Sequence, residues 1–290
     1  TASGYAGTLS VLSNKNSVAT ASNTAASTIT AVGVGDTTST SGSATITFTA
    51  AATDYVNSVT KTATVTVTRR TGATPTFNTS TVTATCSQDQ SAKTTSAFTA
   101  GTSKHSGTLS YSFVSAKNSG GTSLTGWTVN SSNRTIGIPA NTIAGTYTVV
   151  VKCTESQTSS DTSSSTNATI TVTLSKGTQT LTLTGNPTNF ISTYNSGGTI
   201  TASNHVGTIS ASSDTTNVAT VSVSGSKVTV TCKNAGTSTI TVTAAANDYV
   251  NAVSKTQVWT INKANATACT TWEGDSKGYD EAQTTPATLT

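Results

Sequence analysis

Apolar positions along this chain come in short runs at period two. The segments "KVTVTC" (227–232) and "STITVT" (238–243) set Val or Ile on alternate positions with Thr between, and "YTVVVKC" (147–153) runs apolar over a short length. That alternation marks half-buried strands. Between the runs lie clusters of turn residues such as "SGS" (224–226) and "KNAG" (233–236), where Gly, Asn and Ser supply turn conformations. No window sustains apolar residues at i, i+3, i+4 and i+7 between helix caps. The pattern predicts short antiparallel strands and almost no helix.

The strands recur as a unit. Residues 1–10 read "TASGYAGTLS", 101–110 "GTSKHSGTLS" and 201–210 "TASNHVGTIS". A second landmark follows in each: "SGSATITF" (41–48), "AGTYTVVV" (144–151) and "AGTSTITV" (235–242). A third closes each: "TATVTVT" (62–68), "ATITVTL" (168–174) and "VWTIN" (258–262). The closing stretch is nearly duplicated, as "AATDYVNSVTKTATVTV" (51–67) and "AANDYVNAVSKTQVWTI" (245–261). Landmarks in fixed order imply one supersecondary plan used three times. Short strands at this spacing suit a sandwich of two antiparallel sheets.

The stretch "NVATVSVSGSKVTVTCKNAGTSTITVTAA" (217–245) resembles the bacterial Ig-like group 2 domain, and "SATITFTAAATDYVNSVTKTATVTV" (43–67) fits the same pattern. The middle unit, with "GWTVNSSNRTIGIPANTIAGTYTVVVKCTES" (126–156), is similar instead to the putative-Ig and cadherin-like repeats of bacterial surface proteins. The resemblance implies an all-β tandem array of three Ig-like antiparallel β-sandwiches. The expected domains are 1–70 (lacking its opening strands), 71–175 and 176–262. Residues 263–290 are a C-terminal extension or the start of a further module. Junctions fall in "TRRTG" (68–72) and "LSKG" (174–177).

Composition narrows the function classes. Charged residues make up 9% and hydrophobic residues 33%, so neither a large oily core nor a charged coat is available. The net charge of +4 is spread along the chain, with Arg69 and Arg70 the adjacent basic pair. That is too diffuse for the basic stripe of a nucleic-acid binder. No run approaches a membrane span. With no Met anywhere, the sequence reads as a processed chain or a piece of a longer one.

The candidate chemistry is thin. His105 and His205 occupy equivalent repeat positions, where the first copy has Tyr5; a residue exchanged for Tyr reads as a loop residue, not a ligand or base. Asp54 and Asp248 each head a "DYVN" turn, but one Asp per repeat falls far short of a calcium shell. The Tyr of that turn is expected to cover the open end of the sandwich. No acid pair, nucleophile motif or phosphate loop is present. We therefore expect a non-enzyme with no cofactor and no metal.

Cysteine placement says more. Cys86 shares a strand face with Val82 and Ala84, and Cys153 shares one with Tyr147, Val149 and Val151. If both faces point inward from opposite sheets, the two thiols meet in one core as the inter-sheet disulfide of Ig domains does. The alternative is two buried free thiols. Cys232 reads as a buried thiol, with Cys269 its one conceivable partner, and Trp259 as a core anchor.

The expected function is a surface-exposed structural or adhesive array on the outside of a bacterial cell or phage particle. Its partners would be a host or cell-surface glycan or protein receptor, or neighbouring copies in a fibre or virion. The alternative is a carbohydrate-binding module, or ancillary domains of a larger secreted enzyme. The first repeat has no counterpart to "GTQTLTLTGNPTNFISTYNSGGTI" (177–200). The favoured expectation is that residues upstream in a longer protein complete it; the alternative is a strand from another chain, giving a homo-oligomer by strand exchange.

Overall fold

The computed structural model describes residues 3–5, 7–25, 28–33, 41–185, 189–193 and 196–263. Among them every regular element is a strand, and no helix is long and apolar enough to cross a membrane. The chain divides into two compact units, Thr1–Gln179 with Ala246–Asn251, and Thr180–Ala245 with Ala252–Thr290.

The first sandwich has β1 (Leu9–Ser13), β2 (Ala19–Ala25), β3 (Thr28–Gly33), β4 (Ser41–Ala50) and β5 (Val59–Thr68). They form one sheet in the order β1-β4-β5 and a hairpin β2-β3. The middle sandwich has β6 (Ser80–Thr85), β7 (Lys93–Thr94), β8 (Leu109–Asn118), β9 (Ser123–Leu124), β10 (Thr128–Asn130), β11 (Thr135–Ile138), β12 (Gly145–Glu155) and β13 (Ser164–Ser175). Its sheets run β6-β13-β12-β8-β9 and β10-β11-β7.

The third sandwich has β14 (Thr182–Gly185), β15 (Asn189–Thr193), β16 (Gly197–Ser203), β17 (Ile209–Ser213), β18 (Ala219–Ser224), β19 (Lys227–Cys232), β20 (Gly236–Ala244) and β21 (Val253–Asn262). Its sheets run β14-β16-β19-β18 and β15-β21-β20-β17. Pairing is antiparallel except where an opening strand meets the closing one. There β6 runs parallel to β13 and β15 parallel to β21.

Alternation places the cores. Along β12, Tyr147, Val149, Val151, Cys153 and Glu155 all turn inward. Phe77, Phe98 and Tyr111 cluster with ring centroids 5.2–5.8 Å apart, and Trp127 lies 5.1 Å from Tyr147. The third core centres on Trp259, with Ile200, Val228, Val230, Ile240 and Val242. In the first, Leu9, Val18, Ala19, Ala44, Ile46 and Ala50 are buried among the described residues, with Val65 and Val67 half-buried against Val18, Ala19 and Ala44.

The repeated glycine of the first landmark has a steric cause. A Cβ on Gly7, Gly107 or Gly207 would fall 1.7, 2.1 or 1.8 Å from the carbonyl oxygen of Ala51, Ser156 or Ala245. Beside it, Thr8, Thr108 and Thr208 each accept the N–H of that same Ala51, Ser156 or Ala245, at 2.8, 2.9 and 2.9 Å. One corner, with one backbone approach, is built three times.

Candidate functional site

The duplicated "DYVN" stretch forms a tight turn ahead of the closing strand. In the first copy the Thr53 N–H donates to the Val56 carbonyl at 2.9 Å, and the Tyr55 N–H points at Thr53 Oγ1 at 3.4 Å. In the third copy the Asn247 N–H donates to the Val250 carbonyl at 3.1 Å. There Asn247 Oδ1 accepts the N–H groups of Tyr249 and Val250, at 2.9 and 3.0 Å. The middle sandwich has the same turn at residues 158–161. The Thr158 N–H donates to Asp161 at 3.0 Å, and Thr158 Oγ1 accepts from Ser160 and Asp161. Position by position, "TSSD" (158–161) shares one residue, its first Thr, with "TDYV" (53–56) and none with "NDYV" (247–250). The readable signal was a side-chain oxygen opening the turn.

Two of these turns hold a linker. Gly177 donates to the Tyr249 carbonyl at 2.8 Å and accepts from the Asn251 N–H at 2.9 Å. Arg70 donates to the Ser160 carbonyl and accepts from Thr162, both at 2.9 Å. Each set is a short parallel bridge between a linker and the turn that follows it in sequence. Side chains add to both. Arg70 Nη2 meets Asp161 Oδ2 at 3.0 Å, although an arginine this exposed gains little from the pairing. Arg69, itself buried, donates to Gln157 Oε1 at 3.0 Å.

Tyr249 does not cap its own sandwich as its spacing suggested. It packs against the core of the middle one, beside a small cleft lined by Cys86, Ile138, Pro139, Thr142 and Leu174. Its hydroxyl donates to the Asn141 carbonyl at 3.3 Å, and Ala144 N–H donates to the Asp248 carbonyl at 2.9 Å. Val250 is 0% exposed. The first copy of the same turn stands in water: Tyr55 is 96% exposed and Val56 54%.

A buried carboxylate clamps the loop after the first landmark of the middle sandwich. Glu155 is fully buried. It accepts the Ser103 hydroxyl and the N–H groups of Lys104, His105 and Gly107 at 2.8, 2.9 and 2.9 Å. His105 Nδ1 lies 3.4 Å from Glu155 Oε2, the oxygen that accepts the Lys104 N–H. Burial pushes the carboxyl up, but the four hydrogen bonds outweigh it and hold it at about 2, because each favours the charged form. The residues at this register elsewhere are Ala50 and Ala244.

The remaining acids and histidines do local work. Asp214 accepts the Thr239 N–H at 2.8 Å and the Ser238 hydroxyl at 3.0 Å. Those bonds hold its carboxyl below the usual range. Asn14 does the same for the Thr45 N–H, at 2.8 Å. His205 contacts the Gly207 carbonyl at 2.8 Å and Ser226 Oγ at 3.0 Å. Among the described residues no three His, Cys, Asp or Glu side chains gather as metal ligands do.

The expected disulfide is not formed. Cys86, Cys153 and Cys232 are separate buried thiols. Cys86 follows β6 and Cys153 ends β12, and both strands flank β13 in one sheet. Cys86 is hydrogen-bonded to Ser175, whereas Cys153 faces Thr166. Nine strand positions separate those neighbours, or about 30 Å at ~3.3 Å per residue. The assumption that failed was that the two faces belong to opposite sheets. Burial raises both thiols above their usual range. Trp127 and Trp259 are also core residues, 4% and 0% exposed, so neither offers a stacking surface. Cys269 lies outside the described residues.

No protein-family model matches this chain, and no curated protein matches it. Among solved structures it is similar to mouse protocadherin-24 EC1-3, at 12% identity over 89% of this chain and 90% of that one, with a TM-score of 0.34. Drosophila N-cadherin EC1-3 is matched at 7% identity over 91% and 92%, with a TM-score of 0.38. A SusE-like surface located polysaccharide binding protein of Bacteroides thetaiotaomicron is matched at 14% identity over 65% of this chain and 33% of that one, with a TM-score of 0.23. Likeness at this level says nothing about activity or ligand.

Proposed function

We propose that the chain is a non-enzymatic, extracellular structural and adhesive array of three Ig-like sandwiches, spanning 1–70, 71–175 and 176–262, on a bacterial or phage surface. The observation that carries this reading is the repeated linker bridge. Arg70 and Gly177 are each fixed through backbone hydrogen bonds to the turn of the sandwich they lead into. A chain selected for chemistry concentrates perturbed groups in a cleft. Here the most perturbed buried group, Glu155, is spent on holding a loop. Exposed turns and sheet faces then serve as contact surfaces for a glycan or protein receptor. The bacterial Ig-like group 2 resemblance of the first and third sandwiches supports the bacterial or phage setting.

The test is binding without turnover. The purified chain is expected to bind a subset of immobilised surface glycans or whole cells, and to leave glycan, ester and peptide substrates intact. Hydrolysis of any of these would overturn the reading. So would the absence of binding to any cell, glycan or protein surface.

A further inference from the structure

The third sandwich leaves open a strand edge that the middle one covers or shortens. β17 and β8 are counterparts, set against β20 and β12 at the same register, with Ile209 opposite Ala244 and Leu109 opposite Glu155. In the middle sandwich β9 lies along the outer edge of β8, with Leu124 opposite Ala116. Ser131 Oγ takes up the Tyr111 N–H at 2.8 Å. The edge strand of the opposite sheet, β10, is three residues long. In the third sandwich no described strand lies outside β17, and the edge strand of the opposite sheet, β18, runs for six residues.

Hydrogen bonds on either side fix which way the backbone of β18 points. Cys232 donates its N–H to the Ser196 carbonyl at 2.9 Å, so its backbone groups turn toward β16. Ala219, opposite Cys232, therefore turns its own groups away from β19, and its N–H reaches the Thr215 carbonyl. This direction alternates along an antiparallel strand, so Val221 and Val223 also present N–H and C=O outward. β18 is the last strand of its sheet, and no described strand receives them. Their side chains lie on the inward face with Ala219, yet Val221 is only half-buried and Val223 is 36% exposed. The stretch "ATVSVS" (219–224) contains no charge, proline or glycine. A long edge of this kind, without a blocking residue, is a template for another strand.

We propose that β18 is a self-association edge, which takes β18 of a second copy antiparallel about a two-fold axis through Ser222. In that register Val221 of each copy exchanges both N–H···O bonds with Val223 of the other. The two Ser222 side chains meet on the outer face, and the valines form one apolar row on the inner face. Charge favours this occupant: a second β18 brings no charge to a strand that has none, whereas a charged peptide finds no counter-charge there. The two-fold contact uses the same patch on both copies, so it closes as a dimer.

Pairing along one short edge buries well under the ~1,600 Å² of a standard interface, so it is weak between free chains. Between arrays held side by side on a surface, tethering raises the effective concentration and multiplies the contact. The pairing does not rest on the adhesive reading, since copies can associate whether or not they bind a receptor.

The experiment is a charge swap at Ser222, which is exposed, in the full chain at low salt. Like charges directly opposite each other across a strand pair are destabilising, and opposite charges are favourable. Sedimentation of the parent at rising concentration is expected to show a mean mass that climbs toward two chains and no further. The Val221 and Val223 amides should gain protection from hydrogen exchange in step. Ser222→Lys and Ser222→Glu should each stay monomeric over the same range, and an equal mixture of the two should pair more tightly than the parent. A parent that stays monomeric with both amides exchanging freely overturns the proposal. So does a dimer that either charge leaves intact. Protection of the two amides by an added glycan or protein, in a chain that remains monomeric, assigns the edge to another partner and overturns it too. Receptor binding by the monomeric Ser222→Lys variant reports on the adhesive reading separately.

Discussion

The first and third sandwiches share landmarks, turns and register, yet the matching place in their closing strands is a tryptophan in one and a valine in the other. Trp259 in β21 is 0% exposed, while Val65, at the matching place in β5, remains half in water. Strand propensity is similar in the two copies, so propensity is not what separates them. What Trp259 has is a full shell of Ile200, Val228, Val230, Ile240 and Val242, and burial of apolar area is the larger energy.

The largest expected effect tests that difference directly. Trp259→Ala should destabilise the third sandwich by about 3–5 kcal/mol. Val65→Ala should cost the first less than about 1 kcal/mol, since little apolar area is buried there to lose. Segment-resolved hydrogen exchange in denaturant reads both. A large cost for Val65→Ala would mean that the inner face of β5 is covered in solution.

The next effect concerns a residue that neither of the other copies has. Glu155→Ala restores the residue type of Ala50 and Ala244, but it strands the N–H groups of Lys104, His105 and Gly107 in a buried loop. The middle sandwich should melt well below the parent, with the other two unchanged. The pH dependence has a definite sign. A carboxyl lowered from 4.5 to about 2 contributes its full stability above the unfolded value. That contribution is lost as pH falls through the folded value. Thermal melts of the parent should therefore decline between those limits, and Glu155→Gln should flatten the decline.

The smallest effect separates the two tyrosines. Tyr249→Phe removes the hydrogen bond to Asn141 and should cost about 1 kcal/mol. Tyr55→Phe, 96% exposed, should cost nothing measurable. Equal costs would show that Tyr55 has found a partner.

Much of the fold was legible in the sequence because it is local. Alternation in "KVTVTC" named β19, and the landmark glycines marked corners where a Cβ has no room. The register between distant strands was not legible, and the cysteines failed there. A period-two face says that Cys86 points inward, not which sheet carries it. Glu155 looked like one scattered acid among others, since its donors are mainly backbone amides, which leave no mark in a sequence. Residues 158–161 went unread because the turn depends on the oxygen of Thr158, not on the Tyr and Val that made its relatives conspicuous.

The linker bridges also set an order of events during synthesis. Arg70 is held by Asp161, 91 positions later, and Gln179 by Asn251, 72 positions later. At roughly 5–20 residues per second, the first joint waits about 5–18 seconds for the residues that fix it. Each joint therefore stays loose on the nascent chain until nearly the whole sandwich beyond it has been made. The joints then set one after another, from the N-terminus onward, and a pause or early stop leaves the most recent joint unlocked.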